Sequence, residues 1–111
     1  MDDDFRTAMG RRILEKRKIL RLSQEELAEK ADTTKQTVSM AENGKRELSA
    51  KTVVGLAGAL QMSTDYLLTG QCTNDDVLIL NQKIAGLKDR QFRFLEDLLR
   101  NFIEMCEDGS V

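Results

Sequence analysis

A chain of 111 residues has room for one hydrophobic core and a short accessory element, not for two large domains. With no histidine, no proline and two cysteines, at a net charge of -2, a His-based metal centre and a disulfide scaffold are both excluded. The charge is unevenly placed: residues 5–51 carry twelve Lys/Arg against seven Asp/Glu, whereas 71–111 carry five against eight, so a locally basic surface precedes an acidic tail.

Apolar residues recur at helical spacing along the chain and no segment alternates like a strand, so the protein reads as all-α. The first helix is expected from about Thr7 to Arg21. Ser23 opens "SQEE", a capping box with Glu26, which starts a second short helix at Gln24 with Leu27, Ala28 and Ala31 on its inner face. After a break at Asp32 and Thr33, Thr34 is the expected N-cap of a third helix running from Lys35 to about Asn43, ended by Gly44. A fourth helix follows Ser49 and buries Val53, Leu56, Ala57 and Leu60, although Gly55 and Gly58 inside it each cost about 1 kcal/mol relative to Ala. Ser63 caps a fifth, short helix with Tyr66, Leu67 and Leu68. "TGQCTND" separates this unit from two further helices, about Asp75 to Ala85 and Asp89 to Cys106. The expected organisation is a domain over 7–70 and a C-terminal helical element over 74–107.

On a wheel of about 100° per residue, Val38, Ala41 and Glu42 share one side of the third helix, and Gln36, Ser39, Met40 and Asn43 the other. The outward face is polar and nearly uncharged, with Lys35 at its start and Lys45 and Arg46 just beyond its end. Taken alone, this describes an ordinary solvated face as well as a groove-reading one. The pairing decides: two short helices joined by a three-residue turn, Asp32 to Thr34, form a helix-turn-helix. A major groove admits one helix, and flanking cations match the phosphates on either side.

Two charges fall on buried faces. Glu42 is one, and Arg17, between Ile13, Leu14 and Leu20, is the other. Each is costly alone, so they are expected to form a buried ion pair joining the first helix to the third; the alternative is that each snorkels separately to water.

The stretch from Met9 to Leu68 resembles the XRE family of phage repressor and Cro-type helix-turn-helix transcriptional regulators. The resemblance is carried by "GRRILEKRKILRLSQEELAEKA", "TTKQTVSMAENGKR" and "STDYLL". It implies a five-helix lambda-repressor-like DNA-binding domain, here followed by a C-terminal helical hairpin. It also implies base contacts from Lys35, Gln36 and Met40, phosphate contacts from Gln24, Asn43 and Lys45, and a buried salt bridge at Arg17 and Glu42. Ser39 and Thr37 flank the reading face, Ser39 being expected at the bases and Thr37, with Ser23 and Arg46, at the phosphates. The chain departs from the family pattern at Asp32 and Gln61, where Gly is common, at Leu48 for Pro, and at Ala41 for a larger apolar residue. Met40 donates no hydrogen bond and suits a thymine methyl.

The last helix carries Phe92, Phe94, Leu95, Leu98, Leu99, Phe102, Ile103, Met105 and Cys106 over about half its circumference, more than the ~100° stripe of a packed surface helix. Val77, Leu80, Ile84 and Leu87 cover only part of that face if the two helices form a hairpin. The remainder is expected to join two copies, with Phe92, Leu95, Leu99, Phe102 and Ile103 at the contact; the alternative is a monomer whose tail folds back on its own domain.

The leading expectation is therefore a sequence-specific regulator, a repressor, that binds a two-fold symmetric operator on double-stranded DNA as a homodimer. The alternative is an antitoxin-like interaction module whose C-terminal helices bind a protein, with DNA binding for autoregulation. No enzyme, cofactor, metal site or membrane association is expected, Cys72 and Cys106 read as structural thiols, and the expected location is the cytoplasm.

Overall fold

The computed structural model describes residues 2–109. Among them are seven helices and no strands: α1 (Asp2–Ile19), α2 (Gln24–Lys30), α3 (Lys35–Glu42), α4 (Ala50–Ala59), α5 (Thr64–Thr69), α6 (Asn74–Ala85) and α7 (Asp89–Glu107). The chain divides into two compact units between Ile79 and Leu80, inside α6.

In the first unit α1 packs against α3 and α5, α2 against α3 and α4, and α4 against α5. At the centre Ile13, Leu27, Val38, Leu56, Leu60 and Leu67 are fully buried, joined by Met9, Ala28, Ala31, Ala41, Val53, Ala57 and Met62. Each large side chain withdrawn in this way contributes about 1.5–3 kcal/mol. The first helix begins at Asp2 rather than Thr7 and stops at Ile19 rather than Arg21. Nothing between Asp2 and Thr7 breaks a helix, and acidic residues favour an N-terminus.

Its end is set by Arg21, which takes the left-handed conformation at φ 58°. Arg21 and Leu22 then return hydrogen bonds to the carbonyls of Lys18 and Arg17, a Schellman closure. The same closure ends α2 through Asp32 (φ 56°), α3 through Gly44 (φ 68°) and α4 through Gln61 (φ 58°). Three of these four closures therefore force a non-glycine residue into a conformation that costs about 1–2 kcal/mol.

Helix starts follow side-chain caps. Ser23, Thr34, Ser49 and Ser63 each accept a hydrogen bond from the backbone N–H three residues on, and Glu26 completes the capping box by accepting from the Ser23 N–H. The cap of α5 has a further partner. Asp76, near the start of α6, accepts from the Ser63 N–H at 2.8 Å and the Ser63 hydroxyl at 2.7 Å, and also from the Thr73 N–H at 2.9 Å. From the other side Arg12 of α1 donates to the carbonyls of Leu67 and Leu68 at 2.9 and 3.1 Å, satisfying the last turn of α5.

In α6 and α7 no described residue is buried. Ile79, Ile84, Leu95 and Glu96 are half-covered, while Phe94 is 68% and Phe102 55% exposed.

Candidate nucleic-acid interface

The site is built outward from the short connection between α2 and α3. Ala31 ends α2, Asp32 turns the chain, and Thr34 accepts from the Thr37 N–H to start α3. Val38 and Ala41 then lock α3 into the core at 0% and 1% exposure. With that side fixed, Gln36 and Asn43 are exposed and Ser39 and Met40 lie half-exposed beside them.

Arg17 and Glu42 meet beneath this helix. Arg17 Nε donates to Glu42 Oε2 at 2.6 Å and Nη2 to Oε1 at 3.1 Å, with 13% and 4% of the two side chains exposed. Arg17 Nη1 also donates to the Leu22 carbonyl at 2.9 Å. The hydrogen bond to Glu42 raises the guanidinium pKa against the lowering effect of burial. A bidentate pair in which each guanidinium nitrogen donates at least one hydrogen bond is the arrangement in which a buried charge is tolerated.

The structure places the remaining expected contacts unevenly. Gln24 donates its amide to Glu42 Oε1 at 3.0 Å and so joins the buried pair. Ser23 is exposed and its hydroxyl is the cap of α2, accepting from the Glu26 N–H at 3.0 Å. Backbone and hydroxyl hydrogen bonds from Ser23 hold the Glu26 carboxyl below its ordinary pKa. Asn43 is exposed but folds its amide back onto the Ser39 carbonyl at 2.9 Å.

Lys35 lies 3.7 Å from Glu25 in an exposed pair, a contact that gives way easily. Lys45 and Arg46 are exposed. Thr37 is only 8% exposed, and its hydroxyl accepts from Arg46 Nη1 at 3.1 Å. Sequence reasoning assigned both Thr37 and Arg46 to the phosphate backbone but carried no signal for the hydrogen bond between them. It also missed Arg12 and Asp76, whose partners lie 55 and 13 residues away.

Among the described residues no cluster of His, Cys, Asp and Glu is arranged to hold a metal ion, and no helix is long and apolar enough to cross a membrane. The arrangement offers a projecting polar helix, flanked by cations and aimed by an internal ion pair.

Comparison with known proteins gives one picture. The sequence profile described as helix-turn-helix matches residues 13–67. A curated relative, the uncharacterised HTH-type transcriptional regulator YqaE of Bacillus subtilis strain 168, is 28% identical over 98 residues, covering 83% of this chain and 84% of its own. The crystal structure of the P22 c2 repressor in complex with a synthetic operator is similar at a TM-score of 0.55 and 35% identity, over 57% of this chain and 96% of that one. The SinR protein, in its complex with SinI, is similar at a TM-score of 0.55 and 26% identity, over 86% of this chain and 98% of its own.

Proposed function

This chain belongs to the XRE-type helix-turn-helix family, and from that premise we propose that it is a sequence-specific DNA-binding transcriptional regulator, a repressor, acting as a cytoplasmic homodimer on a two-fold symmetric operator. One observation carries the reading: the outward face of α3, Gln36 with Ser39, Met40 and Asn43, is held clear of the core between two cationic flanks. The operator complex of the P22 c2 repressor supports it.

In this reading residues 7–70 form the DNA-binding domain. Lys35, Gln36, Ser39 and Met40 meet base edges in the major groove, and Ser23, Gln24, Thr37, Asn43, Lys45 and Arg46 lie along the sugar-phosphate backbone. Residues 74–107 join two copies through Phe92, Leu95, Leu99, Phe102 and Ile103. The exposed aromatic and aliphatic side chains of α7 support this, because a contiguous apolar face of that kind marks a partner. Two copies place their α3 helices in successive major grooves, about 34 Å apart.

A second reading has one observation in its favour. The match to SinR extends past the five-helix domain, and that protein is found in complex with another protein, SinI. An α7 face that takes a different polypeptide rather than a second copy makes the chain an interaction module as well.

Selection of bound sites from random duplexes, followed by footprinting, tests the main reading. Two half-sites related by a two-fold axis and one helical turn apart are the expected result. Failure to bind any duplex at low salt would overturn it.

A further inference from the structure

We propose that Thr37 is a positioning residue which acts on DNA only through Arg46, bracing that guanidinium against the edge of the reading helix so that it meets a backbone phosphate already oriented. The inference rests on the DNA-binding reading and assigns Thr37 a different part in it from that of a direct phosphate ligand.

The placement of the hydroxyl argues against direct contact. With Gln36 at the centre of the outward face of α3, Met40 and Asn43 fall within about 40° of it, and Thr37 lies about 100° to one side. On that side the residue is 8% exposed, so little of it is left for a phosphate to reach. The oxygen is also occupied. It accepts from Arg46 Nη1 at 3.1 Å and lies 2.8 Å from the Thr34 hydroxyl, which itself accepts from the Thr37 N–H at 3.1 Å. A hydroxyl has one donor and two acceptor sites, and two of the three are engaged here.

Arg46 has the complementary properties. It is exposed, and a guanidinium carries five N–H donors in a rigid fork, so the hydrogen bond to Thr37 leaves donors facing outward. It follows α3 in sequence yet returns to the first turn of that helix, because Gly44 turns the chain at φ 68° and Lys45 donates back to the Met40 carbonyl at 2.9 Å. The opposite flank is built differently. Lys35 there is held only by the exposed pair with Glu25 at 3.7 Å. One flank thus presents a braced planar cation and the other a loosely tethered point charge. Bracing removes part of the ordering cost that a free side chain meets on binding, and hydrogen bonds in series strengthen one another.

The test is a double-mutant cycle on the full chain, read as affinity for a mixed-sequence duplex across a salt series, since a phosphate contact is independent of sequence. Arg46→Ala is expected to weaken binding and to reduce the slope of log affinity against log salt by about one. Thr37→Val, which keeps the shape and removes the hydroxyl, is expected to weaken binding about fivefold, the equivalent of one hydrogen bond. In the Arg46→Ala background the same Thr37→Val change is expected to have no effect, whereas in a Lys45→Ala background it keeps its full effect. Thr37→Ser restores wild-type affinity. Equal losses from Thr37→Val with and without Arg46, or no loss from Thr37→Val in the wild-type background, overturn the inference while leaving the DNA reading intact. A wild-type chain that binds no duplex at low salt overturns the DNA reading itself.

Discussion

Glu42 is held by Arg17 across 25 residues of chain, through two hydrogen bonds of 2.6 and 3.1 Å, with 4% of the carboxylate side chain exposed. The pair joins α1 to the end of α3, and Gln24 adds a third hydrogen bond from α2. Removing one charge leaves the other buried without compensation, which is more costly than removing both. Arg17→Met is therefore expected to destabilise the fold by about 3 kcal/mol in urea unfolding, and Arg17→Met with Glu42→Leu to recover most of the loss. A single mutant as stable as the wild type would show that the pair braces nothing.

Gln36 and Lys45 differ in what they can tell apart. Gln36 is exposed at the centre of the outward face, and Lys45 follows the glycine that ends the helix. Gln36→Ala is expected to lose about 1–3 kcal/mol on the selected site and little on random duplexes. Lys45→Ala is expected to weaken all sequences alike and to flatten the salt dependence. Equal losses on specific and random DNA for Gln36→Ala refute its assignment to base reading.

Acid stability should depend on Asp76. Burial pushes this carboxyl up, but the hydrogen bonds from the Ser63 hydroxyl and N–H, and from Thr73, outweigh it and hold the pKa below its ordinary value. A depressed folded pKa means that the contribution is fully present above the unfolded value, about 3.9, and is lost as pH falls through the folded one. Urea midpoints measured downward from pH 5 are expected to fall in this window, and Asp76→Asn to flatten that fall. An unchanged acid limb in Asp76→Asn shows that the cap of α5 is not linked to pH through this residue.

The two glycines of α4 are not equivalent. A Cβ on Gly55 meets the Ala31 carbonyl oxygen at 2.5 Å, whereas a Cβ on Gly58 meets nothing within 4 Å. Gly58→Ala is expected to stabilise the domain by about 1 kcal/mol through helix propensity alone. Gly55→Ala should destabilise it, because α2 and α4 must move apart. Thermal melts of the two variants check the opposite signs.

For α7, Phe102→Glu places a charge in the middle of the exposed apolar face. The expected result is a shift to monomer in sedimentation, with weaker binding to a two-half-site operator and unchanged affinity for a single half-site. A wild-type chain that sediments as a monomer at every concentration rules out the homodimer.

Much of the fold was legible because it rests on local chemistry. Helix starts are written in Ser23, Thr34, Ser49 and Ser63, each of which caps its own helix, and the core stripe of Leu27, Val38, Leu56 and Leu60 follows from helical periodicity. The first helix extends beyond its expected limits at one end and falls short at the other, since neither end carries so plain a signal and Arg21 adopts a conformation usually left to glycine. The pairing of Arg17 with Glu42 could be reasoned out, because two charges on apolar faces each need a partner.

Periodicity says which side of a helix is apolar, and so the sequence by itself determined an all-helical chain with a polar outward face on α3 and an apolar one on α7. It says nothing of which distant group a polar side chain will find. Only the tertiary structure decided that Arg12 closes α5, that Asp76 holds Ser63, that Gln24 joins the buried pair, and that Arg46 turns back to a nearly buried Thr37. These contacts depend on how helices far apart in the chain are brought together, and a hydrogen bond needs a placement within a few tenths of an ångström that no spacing along the chain encodes.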